Sequence, residues 1–245
     1  MENMDALVMC AGYGERLKPI SDFMPKALLP IGGKPLLYYT IQDTAPSVND
    51  IIVLSNSRFR NQFEYFLENE KDKYNNRITI ISNSTYQHKD RLGICGDLAF
   101  ALNDRKFQSD LLILSGDKFH NHSIGPFVEH FNSVASKEII LAIPQVESPS
   151  HLYAGQAIIP ANIVTNNKFI GIVNDAANSK EVKDSAEILI NRVNIEFGMK
   201  YVRTGNVIDI GEKETYSTLF EKFLYEELHE KSILRREPQK DRRKI

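Results

Sequence analysis

Two glycines, one residue apart, follow a short apolar run near the start of the chain, and an arginine stands two residues after the second: Gly12, Gly14 and Arg16. Glycine lets a backbone approach a phosphate closely, and the exposed N–H groups of such a loop can bind it. The forked guanidinium of arginine suits phosphate oxygens. The same pattern is consistent with a dinucleotide fingerprint, although an arginine stands in the region of its third glycine, and with a plain tight turn.

A lysine, Lys26, stands between Pro25 and Pro30 a few residues after this loop. Because each proline ring fixes its own φ, the segment is stiff and the reach of the ammonium group is restricted. The alternative is a solvated loop lysine, which is the usual situation of this residue type.

Two aspartates lie at apolar runs, Asp117 after "LLILSG" and Asp209 within "VIDIG". Carboxylates that converged there would form the oxygen-ligand site that Mg²⁺ prefers. A lone aspartate is more often a cap or turn residue, and the sequence does not show whether the two converge. His120 and His122 share one face of a strand and could form a metal pair, but without an evident third ligand we interpret them as polar loop residues.

The first half of the chain alternates the patterns of strands and helices that would position these residues. Short continuous apolar runs predict strands buried on both faces at residues 5–10, 50–56, 77–82, 110–116 and 138–144. Helical patterns lie between them at residues 34–45, 58–72, 93–103 and 125–136. The alternation predicts a mostly parallel sheet with right-handed crossovers, in which ligands bind beyond the carboxyl ends of the strands.

The regular alternation of strand and helix patterns ends after Pro149. Strands are predicted at residues 153–160 and 168–174, a helix at 179–192, and a last strand that runs into 206–211. The apolar residues of the final helix fall on one face: Tyr216, Leu219, Phe220, Phe223, Leu224 and Leu228. That face packs on the body of the protein or on a partner chain, so a homodimer is possible.

The composition is that of a globular protein, with 245 residues, of which 42% are hydrophobic and 25% charged. Two cysteines in a chain this long fit a reducing compartment, and we expect a cytoplasmic protein. We find no apolar run of about 18 residues, so no membrane span is expected.

The net charge is −2, and residues 231–245 contain seven Lys/Arg and two Asp/Glu, which leaves a net-acidic body with no sign of nucleic-acid binding. That basic tail could contact an anionic partner, but a solvated terminus is favoured.

Four segments together resemble the sugar-phosphate nucleotidyltransferases, also called NDP-sugar pyrophosphorylases. The opening stretch "CAGYGERLKPISDFMPKALLPIGGKPLL" is similar to the family signature of a glycine loop, arginine-leucine, proline-lysine and lysine-proline. "RLGICGDLAFAL" resembles the segment that borders the nucleobase, and "LLILSGD" and "GNVIDIGEKETY" resemble the two metal motifs. All four occur in the family order, and several ordered motifs are more specific than one.

The resemblance implies an α/β fold, with a Rossmann-like, mostly parallel mixed sheet flanked by helices and a small acceptor-side subregion. It implies one nucleotidyltransferase domain at residues 1–230 and a basic tail at 231–245. The expected parts of the domain are a nucleotide-binding half at 1–145, an acceptor and metal half at 146–211, and a C-terminal helix at 212–230.

The resemblance also implies a reaction, the transfer of a nucleoside monophosphate from a triphosphate to a sugar 1-phosphate or similar phosphomonoester. Pyrophosphate would leave and Mg²⁺ would be the cofactor. The implied roles are catalysis by Arg16 and Lys26; nucleotide binding by Ala11, Gly12, Gly14, Gly93 and Gly96; acceptor binding by Gly155; and metal binding by Asp117 and Asp209. Gly93 and Gly96 are expected to leave room for the base.

The chain departs from the family pattern before Gly155, where the usual glutamate-lysine-proline segment and its acceptor-binding lysine are missing. A smaller acceptor such as a choline-type phosphate, or a different sugar, is therefore open, and Lys168 could substitute for the lysine. Asp97 replaces a small residue and could contact the ribose or begin a helix. The alternative function is a catalytically silent nucleotide-binding homologue that acts as a regulatory or partner subunit.

A third interpretation of the glycine loop is that of a nucleotide-cofactor oxidoreductase, which the sequence does not favour. It requires a third glycine in the first loop and an acid at the end of the second strand. The segment "VLSNSRF" offers no such acid.

Overall fold

A computed structural model describes residues 3–70, 72–74, 77–134, 137–144, 155–205, 207–210 and 212–234, with side chains described as far as Phe223 in the last segment. The strands are β1 Met4–Met9, β2 Pro30–Ile31, β3 Lys34–Pro35, β4 Ile51–Asn56, β5 Ile78–Asn83, β6 Asp110–Ser115, β7 Lys118–His120, β8 Ile140–Ile143, β9 Gln156–Ile159, β10 Lys200–Arg203 and β11 Val207–Asp209. The helices are α1 Leu36–Thr44, α2 Arg60–Glu68, α3 Gly93–Arg105, α4 Gly125–Ser133, α5 Ala161–Val164, α6 Asn167–Asn178, α7 Ala186–Phe197 and α8 Lys213–Leu234.

Seven strands form the main sheet, in the order β10-β8-β9-β6-β1-β4-β5. β9 runs antiparallel to β6 and β8, and the other neighbouring pairs are parallel. The carboxyl ends of β1, β4, β5 and β6 therefore lie along one edge, as the predicted α/β class with a mostly parallel mixed sheet requires.

Two short antiparallel pairs lie outside the main sheet, β2 with β3 and β7 with β11. β7 begins three residues after β6 ends, whereas β11 comes from late in the chain. The β7–β11 pair therefore brings a distant segment to the carboxyl edge of the sheet.

The core has a cluster on each face of the sheet because the central strands are apolar on both sides. On β6, Leu112 and Leu114 belong to the cluster that includes residues of α1, α2 and α4, whereas Leu111 and Ile113 belong to the one that includes residues of α3, α6 and α7. A third cluster joins the early loops to α8 and consists of Leu17, Leu29, Ile31, Leu36, Ile210 and Leu219.

The prediction of a strand at residues 168–174 is wrong, because this segment lies within α6. Phe169, Val173 and Ala176 are buried at helical spacing, and Val173 and Ala176, three residues apart, share a face only in a helix. The helix predicted from residue 179 begins at Ala186, where the Ser185 side chain accepts a hydrogen bond from the Ile188 N–H group.

The first apolar residues of α8 pack on the protein's own body. Leu219 is buried in the third cluster, and Tyr216 and Phe223 pack against it. The side chains of Leu224 and Leu228, and residues 235–245 of the basic tail, lie outside the described residues, while residues 231–234 continue α8. A homodimer stays a prediction. No described helix combines the length and the hydropathy that crossing a membrane requires.

Candidate active site

The glycine loop follows β1 and is fixed to the end of β4. The Asn56 side chain, fully buried as the last residue of β4, donates a hydrogen bond of 3.0 Å from Nδ2 to the Ala11 carbonyl. A Cβ added at Gly12 would meet no other atom within 4 Å, so this residue borders open space. The loop is therefore held on one side and open to a ligand on the other.

A hydrogen-bond chain links the same loop to α3. Tyr13 donates through its hydroxyl to Thr85 Oγ1 at 2.9 Å, and Thr85 Oγ1 donates to Asn83 Oδ1 at 2.6 Å. Asn83 Nδ2 then donates to Asp97 Oδ1 at 2.7 Å. Burial, with the nearby charge of Asp184, raises the pKa of Asp97 to about 6 against the opposing hydrogen bond from Asn83.

Gly14 closes the loop against Lys26. Its φ is +64°, and a Cβ at this position would lie 3.1 Å from Lys26 Cγ and 3.0 Å from Ser21 Cβ. The Ser21 hydroxyl donates to the Gly14 carbonyl at 2.7 Å. Glycine is required here both for the left-handed backbone and for the close passage of the lysine stem.

Lys26 and Asp117 meet at the carboxyl edge of the sheet. Lys26 Nζ lies 3.3 Å from Asp117 Oδ2, and the two side chains are 13% and 37% exposed. Ser115 at the end of β6 donates through its hydroxyl to Asp117 Oδ1 at 3.1 Å. Both oxygens of this carboxylate therefore have a defined neighbour.

Asp209 reaches the same place through the β7–β11 pair. In that pair Asp209 lies opposite Lys118, the residue after Asp117, and the Ile210 N–H group donates to the Asp117 carbonyl at 3.3 Å. The two aspartates that the sequence singled out are thus carried on adjacent, hydrogen-bonded backbone. Spacing along the chain could not reveal this convergence.

The Arg16 side chain contacts Glu212, the residue just before α8. Its Nη1 is 2.9 Å from Glu212 Oε1, and the two side chains are 62% and 59% exposed. An exposed ion pair of this kind is worth about 0–1 kcal/mol, so the guanidinium can leave it for another anion at little cost.

The structure explains why residues 93 and 96 are glycines, and the explanation differs from the expected space for a base. A Cβ at Gly93, whose φ is +76°, would lie 2.5 Å from the Lys183 carbonyl oxygen, and one at Gly96 would lie 2.7 Å from Leu92 Cβ. The space that these glycines leave is filled by protein atoms rather than left open for a base. Their role in nucleotide binding stays a prediction.

Gly155 makes room for a lysine. A Cβ at Gly155, whose φ is +79°, would lie 2.8 Å from both Lys118 Cδ and Ser115 Cβ. The next residue, Gln156, is 1% exposed, and its amide nitrogen lies 3.0 Å from His120 Nδ1. Lys118 and His120 therefore line the side of the candidate site that carries Gly155.

The two histidines lie beside a cavity of about 480 Å³ between α1 and β7, which Gln156 also lines. Burial, with the charges of His122 and Lys118, lowers the pKa of His120 to about 3, so this imidazole is neutral at pH 7. No group of three or more His, Cys, Asp or Glu able to hold a metal occurs in the part of the chain that the structure describes. The geometry favours polar packing over a metal pair.

Lys168 lies at the opposite edge of the sheet, which contradicts its suggested role as the acceptor lysine. It stands at the start of α6, soon after β9 ends beside the amino-terminal part of β6, where Ile159 pairs with Leu111. There it forms an ion pair with Glu196 of α7. Lys168 therefore lies at the edge of the sheet away from Asp117 and does not line the candidate site.

The sequence carries a signal for the two buried asparagines that the motifs above do not include. β4 and β5 both end in Ser-Asn, and Asn56 pairs with Asn83 in the sheet register. Two amides at neighbouring carboxyl ends, beside a glycine loop, are suited to holding that loop by hydrogen bonds.

The donor set suits a magnesium ion. Mg²⁺ is commonly bound in proteins by one or two carboxylates together with substrate phosphates and water. Asp117 and Asp209 supply two carboxylates on hydrogen-bonded backbone, and Lys26 and the open Gly12 loop lie alongside. The arrangement can hold phosphate groups and neutralise their charge.

Comparisons with known proteins identify the family of the chain. Residues 5–153 match the Nucleotidyl transferase family. Over 136 residues the chain is 34% identical to the bifunctional protein GlmU of Methanococcus maripaludis. That alignment covers 56% of this chain and 30% of the GlmU protein. Over 149 residues the chain is 33% identical to a putative mannose-1-phosphate guanyltransferase of Sulfolobus acidocaldarius. That alignment covers 60% of this chain and 39% of the guanyltransferase.

The chain thus spans about a third of the length of these curated relatives. Among solved structures, CTP:phosphocholine cytidylyltransferase of Streptococcus pneumoniae superposes with a TM-score of 0.69 at 18% identity, covering 90% of this chain and 99% of that one. At that identity the likeness establishes the fold, and it confirms the predicted α/β class. Because the matched region includes the glycine loop, Lys26 and Asp117, we conclude that the chain belongs to the nucleotidyl transferase family.

Proposed function

We propose that this protein transfers a nucleoside monophosphate from a nucleoside triphosphate to a sugar 1-phosphate or another small phosphomonoester. The observation that carries the proposal is the meeting of Lys26, Asp117 and the Asp209 strand at the carboxyl edge of the sheet. The relatives support it, since one is named for mannose 1-phosphate and a protein of the same fold for phosphocholine. Free, buried thiols at Cys10 and Cys95 suit the reducing cytoplasm that the cysteine count predicts.

In the proposed reaction an acceptor phosphate oxygen forms a bond to the α-phosphorus of the triphosphate. The bond from that phosphorus to the oxygen shared with the β-phosphate breaks, and pyrophosphate leaves with the electron pair. The acceptor is already largely ionised at neutral pH, because the second pKa of a phosphomonoester is about 6, so no general base is needed. The protein has to align two anions that repel each other.

Each of the chain's own groups has a place in this alignment. The Ala11–Gly14 loop would receive the triphosphate, and Arg16 would leave Glu212 to bind the phosphates that depart. Lys26 would bridge the reacting groups from its position at Asp117. Asp117 and Asp209 would hold Mg²⁺, which when bound neutralises charge on the phosphate oxygens.

The test is a release assay for pyrophosphate, with four nucleoside triphosphates crossed against sugar 1-phosphates and phosphocholine in the presence of Mg²⁺. We expect release only when both substrates are present, and we expect Asp117→Asn to lower kcat by about 10²–10³-fold, the usual effect of removing one transition-state contact. Unchanged thermal unfolding of this variant would show that the loss is chemical. Nucleotide binding without release across the whole panel would instead identify a catalytically silent homologue.

A further inference from the structure

Lys118 is a cation beside the catalytic edge to which the family resemblance assigns no role. It follows Asp117 directly and lies opposite Asp209 in the β7–β11 pair. Its place in the backbone is therefore fixed by the same two segments that carry the carboxylates.

The stem of Lys118 crosses the acceptor-side glycine. Its Cδ and Cε would lie 2.8 Å and 3.4 Å from a Cβ at Gly155, and the Ser115 Cβ is equally close to that point. A side chain at Gly155 would displace the lysine stem. The absence of one leaves room for the lysine stem beside the end of β6 and the start of β9.

The ammonium of Lys118 makes no ion pair within the described residues, although Asp117 precedes it and Asp209 lies opposite it in the strand pair. Lys26 pairs with Asp117 and Arg16 with Glu212, whereas the ammonium of Lys118 forms neither an ion pair nor a hydrogen bond there. Its close neighbours include His120, a neutral imidazole. Lys118 is partly buried, and an anion that reached its ammonium would not have to displace a partner of the described chain.

The other cations on this side of the sheet are less well placed than Lys118. No Lys or Arg occurs between Lys137 and Lys168, and Lys168 pairs with Glu196 at the opposite edge. Arg203 ends β10, which lies two strands away from β9 in the sheet. Lys26 approaches Asp117 from the glycine loop, and Lys118 leaves from the other side toward Gly155. Asp117 therefore lies between two lysines that face different halves of the site.

On the basis of the proposed function, we propose that Lys118 binds the phosphate group of the acceptor phosphomonoester and so replaces the lysine missing before Gly155. The anion on the acceptor side then meets one ammonium while the triphosphate meets Lys26 and Arg16. This assignment requires only that the acceptor carry a phosphate, whatever its organic part.

The test compares Lys118→Met, which keeps the stem over Gly155 without the charge, and Lys118→Arg, which restores a charge. Lys168→Ala is the matched control at the opposite edge. We expect Lys118→Met to raise the KM for the acceptor phosphate about 10–100-fold, the range for losing a charged hydrogen bond, with little change in the KM for the triphosphate. Lys118→Arg should recover part of the loss, and Lys168→Ala should match the wild type.

A second measurement uses inorganic phosphate as the probe and does not depend on turnover. Calorimetric titration should show weaker phosphate binding by Lys118→Met than by the wild type and by Lys168→Ala. Equal phosphate affinity, or an unchanged acceptor KM in an active enzyme, would overturn the role of Lys118 while leaving the proposed function intact. A wild-type protein without any transferase activity would overturn the function itself.

Discussion

At the scale of single residues, burial changes the titration of Asp97, which a chain of hydrogen bonds links to the glycine loop. Burial and the charge of Asp184 raise the pKa of Asp97 to about 6, although Asn83 donates a hydrogen bond to it. The folded state therefore favours the neutral carboxyl. The contribution of this preference to stability is complete below about pH 4, the ordinary pKa of aspartate, and is lost as the pH rises through 6.

We expect Asp97→Asn to remove that dependence. The amide keeps an oxygen for Asn83 and carries no charge, so the variant should gain stability relative to the wild type at pH 7–8 and show no gain at pH 4. Urea unfolding across this pH range is the measurement. Asp104→Asn, at an exposed position of α3, is the control and should produce no such pH-dependent difference. An equal gain at both pH values would contradict the assignment.

At the scale of elements, the proposed function makes Glu212, just before α8, a competitor of the triphosphate for Arg16. Glu212 holds the guanidinium at 2.9 Å in an exposed pair. We expect Glu212→Gln to lower the KM for the nucleoside triphosphate up to about fivefold, because such a pair is worth at most about 1 kcal/mol. Steady-state kinetics with the acceptor at saturation measures this.

Glu214→Gln is the control for that prediction, since Glu214 is exposed in the first turn of the same helix. It changes the net charge equally without freeing Arg16. If both variants changed the KM alike, the effect would come from general charge and the Arg16–Glu212 contact would not explain it.

Several elements could be predicted from the sequence because local pattern determines them. The apolar runs at β1, β4, β5, β6 and β8 and the glycine loop are of this kind. The strand prediction at residues 168–174 is wrong because the sequence there is a short apolar cluster, which fits either a strand or a helix until Ala176 is included.

The parts of the site that needed long-range pairing could not be predicted. The convergence of Asp117 with Asp209 depends on the register of β7 with β11, and the contact of Lys118 with Gly155 depends on how β9 lies beside β6. Neither register leaves a local signature. The Ser-Asn ends of β4 and β5 did leave one, but its meaning depends on the two strands being neighbours.

At the scale of the whole molecule, the third cluster connects the stability of the protein to the position of its carboxylates. Leu219 of α8 is 4% exposed and packs with Ile210, the residue after Asp209. We expect Leu219→Ala to cost about 2–5 kcal/mol of unfolding free energy and also to lower kcat well below the unfolding temperature. Urea unfolding and steady-state kinetics at 15–20 °C, roughly the temperature of greatest stability, measure the two effects.

Leu67→Ala is the matched control, because Leu67 of α2 is 2% exposed in the cluster on the other side of the sheet from α3. It should lose similar stability and keep its kcat. Wild-type kcat in both variants would mean that the third cluster does not position Asp209.

The β7–β11 ribbon joins two distant parts of the chain. Asp209 lies on β11 and Asp117 just before β7, so one short strand pair determines where both carboxylates lie. Strands β8, β9 and β10 of the main sheet come between the two strands of the ribbon in the chain. Under the proposed function, substitutions in those intervening elements would change the recipient molecule while the ribbon keeps the same phosphorus chemistry.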